Sequence, residues 1–120
     1  MSRLRGLIAL LLCLLSTSAL AGSMSFTFKS NAEYAVMLEF ASQDRDHQWP
    51  GNGNAYKIED YDAHAYKISC VNGENICYGA WVENTSDEYW GVGMDNGQRC
   101  TDCCWVCKGD KKIKLINLNE

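Results

Sequence analysis

Beyond residue 22 the chain alternates apolar and polar residues in short runs, the period-two pattern of half-buried strands rather than the period of helices. Phe26 and Phe28 alternate with Thr27 and Lys29 and predict a first strand. In YAVMLEFAS, residues 34–42, two signals compete. Val36, Leu38 and Phe40 fit one strand face, yet Ser30-Asn31-Ala32-Glu33 has the form of a capping box, and Ala, Met, Leu and Glu favour helix. Agreement with the flanking segments decides for strand. SQDRDHQWPGNGN, residues 42–54, is the longest polar stretch and, with Pro50, Gly51 and Gly53, reads as a loop.

A near-repeat follows, Ala55-Tyr56-Lys57-Ile58 and Ala65-Tyr66-Lys67-Ile68, separated by the acidic turn EDYD. Two copies are too few for a solenoid, so the pattern reads as two similar strands around a turn. VNGEN, residues 71–75, turns the chain into the strand ICYGAWVEN, 76–84. YWGVGM, 89–94, predicts a short strand before an Asp95-Asn96-Gly97 turn, and KKIKLINL, 111–118, a last one with Ile113 and Leu115 on one face. About seven or eight strands at this spacing, with no long helix, predict an all-β fold, a disulfide-stapled antiparallel β-sandwich.

The N-terminus bears on the compartment. Arg3 and Arg5 precede an uncharged apolar run, Leu7–Leu15, and Ala19-Leu20-Ala21 matches a signal-peptidase site. The expectation is a signal peptide over 1–21 and a single domain over 22–120, exported to the periplasm or secreted. The apolar run is too short for a membrane span, so no transmembrane anchor is expected. Loss of Cys13 with the leader leaves six cysteines: Cys70, Cys77, Cys100, Cys103, Cys104 and Cys107.

An even count in a small exported domain reads as a disulfide framework. A Cys70–Cys77 bridge requires a four-residue loop over Asn72–Asn75. A tight Asn72-Gly73 turn instead sends both sulfurs to the C-terminal cluster CTDCCWVC, 100–107. That cluster lacks the spacer between two C-x2-C pairs that zinc modules use, and no helix N-terminus is at hand to activate a redox pair. Structural disulfides are therefore expected, with no metal and no cofactor.

Charge narrows the partners. Removing Arg3 and Arg5 leaves nine basic residues against fifteen acidic, a poor match to nucleic acid. Lys108, Lys111, Lys112 and Lys114 cluster, but Asp110 interrupts them, and the expected reading is a solvated strand face. Material for catalysis is thin. Asp60, Asp62 and His64 stand two apart, and His47 lies among Asp44, Arg45 and Asp46, but no nucleophile motif accompanies them. No catalytic residue is assigned. Asn84-Thr85-Ser86 is a glycosylation sequon, relevant only in a eukaryotic secretory pathway.

Aromatic residues suggest a contact surface. Trp49 sits within the long polar loop, and Tyr89 and Trp90 are near a turn, whereas Trp81 and Trp105 lie deeper in their segments. Flat side chains with polar handles suit protein hot spots or sugar faces. Arg45, His47, Trp49, Tyr89 and Trp90 are thus the candidate binding residues.

ICYGAW (76–81), YWGVG (89–93), the C-x2-C-C-x2-C run (100–107) and SQ-x-R-x-H-x-WPG (42–51) resemble motifs of a group of small exported bacterial proteins without an assigned activity. The resemblance spans most of residues 22–120 and implies a bacterial origin and export, but no ligand. The expected function is a non-enzymatic binding protein for a protein or glycan, monomeric, of the inhibitor or immunity type. The alternatives are a carbohydrate-binding module and a small hydrolase using His47 or His64.

Overall fold

The computed structural model describes residues 20–85 and 87–120. The expected leader, residues 1–21, therefore lies outside the described residues except for its last two positions, as does Ser86 of the sequon. Among the described residues ten strands form: β1 Ala21–Ser30, β2 Val36–Ser42, β3 Gln48–Trp49, β4 Tyr56–Ile58, β5 His64–Val71, β6 Asn75–Val82, β7 Tyr89–Gly91, β8 Cys104–Val106, β9 Asp110–Lys112 and β10 Ile116–Leu118. A 3-10 turn spans Met94–Asn96. No described helix is long and apolar enough to cross a membrane.

Two sheets pack face to face in an open sandwich. In the first, β1 lies between β5 and the C-terminal strands. In the second, β2 and β6 are central, with β3 and β4 beside β2, and β7 and β8 beside β6. Within residues 34–42, Val36–Ser42 form a strand. The capping-box signal loses because Val36, Leu38 and Phe40 are all fully buried on one face, a burial that a strand in this sheet provides.

Alternation builds the core. Met24, Phe26 and Phe28 of β1 face Val36, Leu38 and Phe40 of β2, and all six are fully buried. Phe26 and Phe40 pack with their rings tilted and centroids 4.5 Å apart, and Phe28 meets Tyr78 edge-on at 5.2 Å. Each such ring removes enough apolar surface from water to contribute roughly 2–3 kcal/mol.

The near-repeat divides between the sheets. β4 pairs with β2 and β5 pairs with β1, so the EDYD turn carries the chain across the sandwich. The duplicated tyrosines then meet across the interface, Tyr56 and Tyr66 at 4.7 Å. VNGEN is likewise a corner between sheets, not a hairpin. The Glu74 amide donates to the Val71 carbonyl (2.9 Å) across Asn72-Gly73, with Gly73 at φ 94°.

The last predicted strand needs correction. KKIKLINL breaks at 113–115 into β9 and β10, which run parallel to β1 along one edge. Ile113 stays half-buried while Leu115 turns outward, 49% exposed, so the two do not share a face. The break lets one C-terminal segment follow both halves of the ten-residue β1.

Among the described residues three bridges staple the fold: Cys70–Cys107, Cys77–Cys104 and Cys100–Cys103. Because β5 and β6 enter different sheets, Cys70 and Cys77 do not face each other across a hairpin, and both sulfurs reach the cluster. Cys100–Cys103 closes within CTDCCWVC, while its other two sulfurs bind β5 and β6, one in each sheet. The cluster thus ties to itself and clamps the corner between the sheets.

Candidate functional site: the loop end of the sandwich

At one end of the sandwich the β2–β3 connection, Gln43–His47, meets the 71–74 corner and the 94–96 turn. Polar anchors fix this loop. The Ser42 hydroxyl accepts the amides of Asp44 (3.1 Å) and Arg45 (3.2 Å), a local turn motif that serine favours. The Ser42 amide donates to the His47 carbonyl (2.9 Å), closing the hairpin. The Asp44 carboxylate accepts the Asn75 amide (2.6 Å), and the Gln43 side chain donates to the Asn96 side chain (2.9 Å).

Glu74 is the central anchor. It is 4% exposed, and Arg45 grips both its oxygens, Nε on Oε2 and Nη2 on Oε1 (3.1 Å). Its Oε1 also accepts the Val71 amide (2.9 Å). Burial works against the ionised form. The guanidinium, the Val71 amide and the Ser42 hydroxyl outweigh it and hold the carboxyl at about 2. Arg45 also lies over Trp49, 5.7 Å from the ring centroid, and His47 meets the same ring edge-on at 4.5 Å.

Of the candidate residues, Arg45, His47 and Trp49 come together, but Trp49 is not a contact surface. It pairs with Phe40 in register and is 9% exposed within the core. Strand β3 forms inside the polar stretch and places the indole on the inner face. Tyr89 and Trp90 lie in β7 beyond β6, with β2 and β6 between them and β3, and do not join it. Trp90 opposes Ala80 on the inner face and donates its Nε1–H to the Asn119 carbonyl (2.9 Å). Tyr89 opposes Trp81 and is 43% exposed. Trp49, Tyr89 and Trp90 therefore form no shared aromatic platform.

What is exposed at this end is polar. A cleft of about 380 Å³ is lined by Ala41–Gln48 and Asn96, and one of about 330 Å³ by Asp46–Gln48 and Pro50–Asn52. Asp46 and His47, both exposed, and the half-buried Gln48 form the ridge common to both. Sequence reasoning missed Ser42, Asp44 and Glu74. The serine two and three residues before Asp44 and Arg45 was a readable turn signal, but no local pattern points from Arg45 to Glu74.

The other titratable candidates are simpler. His64 Nε2 pairs with Asp60 Oδ1 at 2.6 Å, and that bond, with the Asp62 amide on the same oxygen, lowers the Asp60 pKa. Among the described residues the sulfurs of Cys77, Cys103 and Cys104 are the one close trio of ligand-type atoms, and all three are bridged. Comparison with family models, curated proteins and solved structures gives no match, so the chemistry of the surface carries the functional reading.

Proposed function

We propose that the chain is a small exported, non-enzymatic binding protein of the inhibitor or immunity type, and that its partner is a protein. The observation that carries this reading is the loop end. Gln43–His47 is pinned by Ser42, Asn75, Glu74 and Asn96, yet Asp46 and His47 stay exposed between two open clefts. A loop ordered before association loses less entropy on binding, which is how small rigid binders reach useful affinity. Arg45 and Trp49 enter this reading as support beneath the ridge. The leader-like N-terminus and the three bridges support export to an oxidising compartment.

The test is capture of a protein partner from the periplasmic or secreted fraction by wild type and by the Asp46→Ala/His47→Ala double variant. The expected result is a partner held by wild type and released by the variant, with affinity reduced by hot-spot magnitude, about 2 kcal/mol or more. A partner held equally by both proteins would remove the ridge from the interface.

A further inference from the structure

The lateral opening of the sandwich carries a second surface. On this side the second sheet ends in β7 and β8, and the first in β9 and β10. Among the described residues two side-chain hydrogen bonds span the opening: the Trp90 Nε1–H on the Asn119 carbonyl, and the Lys111 ammonium on the Val106 carbonyl (3.3 Å). A groove of about 410 Å³ lies along β8–β10. Trp105, Ile113 and Ile116, half-buried against the core, line it, and Leu115 adds an exposed apolar side chain.

Among the described residues β9 and β10 pair with β1 alone, and β8 with β6 alone. Each edge strand therefore turns every second amide and carbonyl away from its one partner, a template for another strand. The charge on the rim selects which strand. Four of the chain's eleven basic residues, Lys108, Lys111, Lys112 and Lys114, fall within seven positions here, in a chain with net charge −4. The nearest acidic side chain in sequence, Asp110, is engaged by the Ser23 hydroxyl. A second copy meeting the same edge would set lysine against lysine, so this edge disfavours self-pairing.

We propose that this groove takes an extended acidic peptide segment as an added strand on the β9–β10 edge. Apolar side chains on one face of the peptide rest on Trp105, Ile113 and Ile116, and carboxylates on the other meet Lys112 and Lys114. Strand addition of this kind gains affinity from main-chain hydrogen bonds and selectivity from alternate side chains. The surface is separate from the Asp46–His47 ridge.

The probe is a fluorescein-labelled octapeptide of alternating Glu and Val, followed by anisotropy at low ionic strength with the disulfide-bonded protein. The expected result is saturable binding that weakens with salt, with protection of backbone amides in 110–118 from hydrogen exchange. A Lys-Val octapeptide, and the Glu-Val peptide N-methylated at alternate amides, should not bind. Lys112→Glu/Lys114→Glu should weaken the Glu-Val peptide about tenfold, equivalent to two or three surface ion pairs. The Asp46→Ala/His47→Ala variant should bind it like wild type. Equal binding of the N-methylated peptide would overturn strand addition. Indifference to the lysine reversals, protection elsewhere, or a preference for phosphatidylglycerol vesicles over the peptide would overturn the acidic-peptide assignment.

Discussion

On the inner face of the second sheet, Val36, Leu38, Phe40, Ile76 and Ala80 are fully buried against the first sheet. On its outer face Glu39, Ala41, Cys77 and Trp81 are almost as deeply buried, yet among the described residues no further sheet covers them. Over Glu39 and Cys77 the cover is the chain itself. Residues 92–103 return across β6 as a flap, with Val92 and Cys103 packed on Cys77. The Val92 amide donates to the Tyr78 carbonyl (2.9 Å), and the Tyr78 amide to the Cys103 carbonyl (3.1 Å). The approach is so close that a Cβ on Gly79 would sit 2.1 Å from the Gly93 carbonyl oxygen. Gly91, paired with Gly79 and at φ 63°, is equally constrained. The glycines of ICYGAW and YWGVG thus have a packing reason. One face is held by apolar area, the other by sulfur and close backbone contact.

The largest test of this contrast removes sulfur. Cys70–Cys107 spans 37 positions and encloses Cys77–Cys104, which spans 27. With the inner bridge intact, the outer one closes a ring of only about ten residues, so either alone should contribute roughly 2.5 kcal/mol. Removing both should cost about 6 kcal/mol, more than the two single losses together. Denaturant unfolding of the Cys70→Ala/Cys107→Ala and Cys77→Ala/Cys104→Ala pairs and their combination measures this; strict additivity would show that the bridges act independently. On the apolar face, Phe40→Ala should cost about 3–5 kcal/mol through lost burial and a residual cavity. Gly79→Ala should cost less, roughly 1–3 kcal/mol. Because its clash is with the flap, hydrogen exchange should rise first over residues 92–103 and leave β1 protected; uniform exchange would place the strain elsewhere.

The smallest effects come from two glutamates, each 4% exposed. Glu39 lies under the flap and accepts the Asp95 amide (2.6 Å). Burial, with the nearby Asp95 charge, raises its pKa despite that bond. Glu74, held by Arg45, titrates at about 2. The signs are therefore opposite. Ionised Glu74 stabilises the fold fully above its ordinary value of 4.5, and this contribution is lost as pH falls toward about 2. Ionised Glu39 carries a penalty at neutral pH that protonation relieves as pH falls through its raised pKa. Glu74→Gln should lower Tm at pH 7 by several degrees, with the difference shrinking in acid. Glu39→Gln should raise it by a degree or two, because the amide oxygen can still accept from Asp95. Parallel pH profiles for the two variants would contradict the assignment.

The candidate site was partly legible. The sequence drew attention to Arg45 and His47, and the structure keeps them together at a pinned loop. It misjudged Trp49 because polar neighbours mark a loop but do not reveal a two-residue strand inside it. Register with Phe40 buries the indole. Glu74 was invisible for a related reason: its partner lies 29 positions away, and only the meeting of the loop with the 71–74 corner joins them.

By itself the sequence determined the β class, the core faces of β1 and β2, and the use of six cysteines as a framework, because these rest on local alternation, composition and spacing. Tertiary structure alone decided which sheet each half of the Ala-Tyr-Lys-Ile repeat enters. It also decided the pairing of the sulfurs and the splitting of the last strand along β1. Those outcomes depend on which distant segments share an edge or a corner, and a one-dimensional pattern records a strand's faces but not its neighbours.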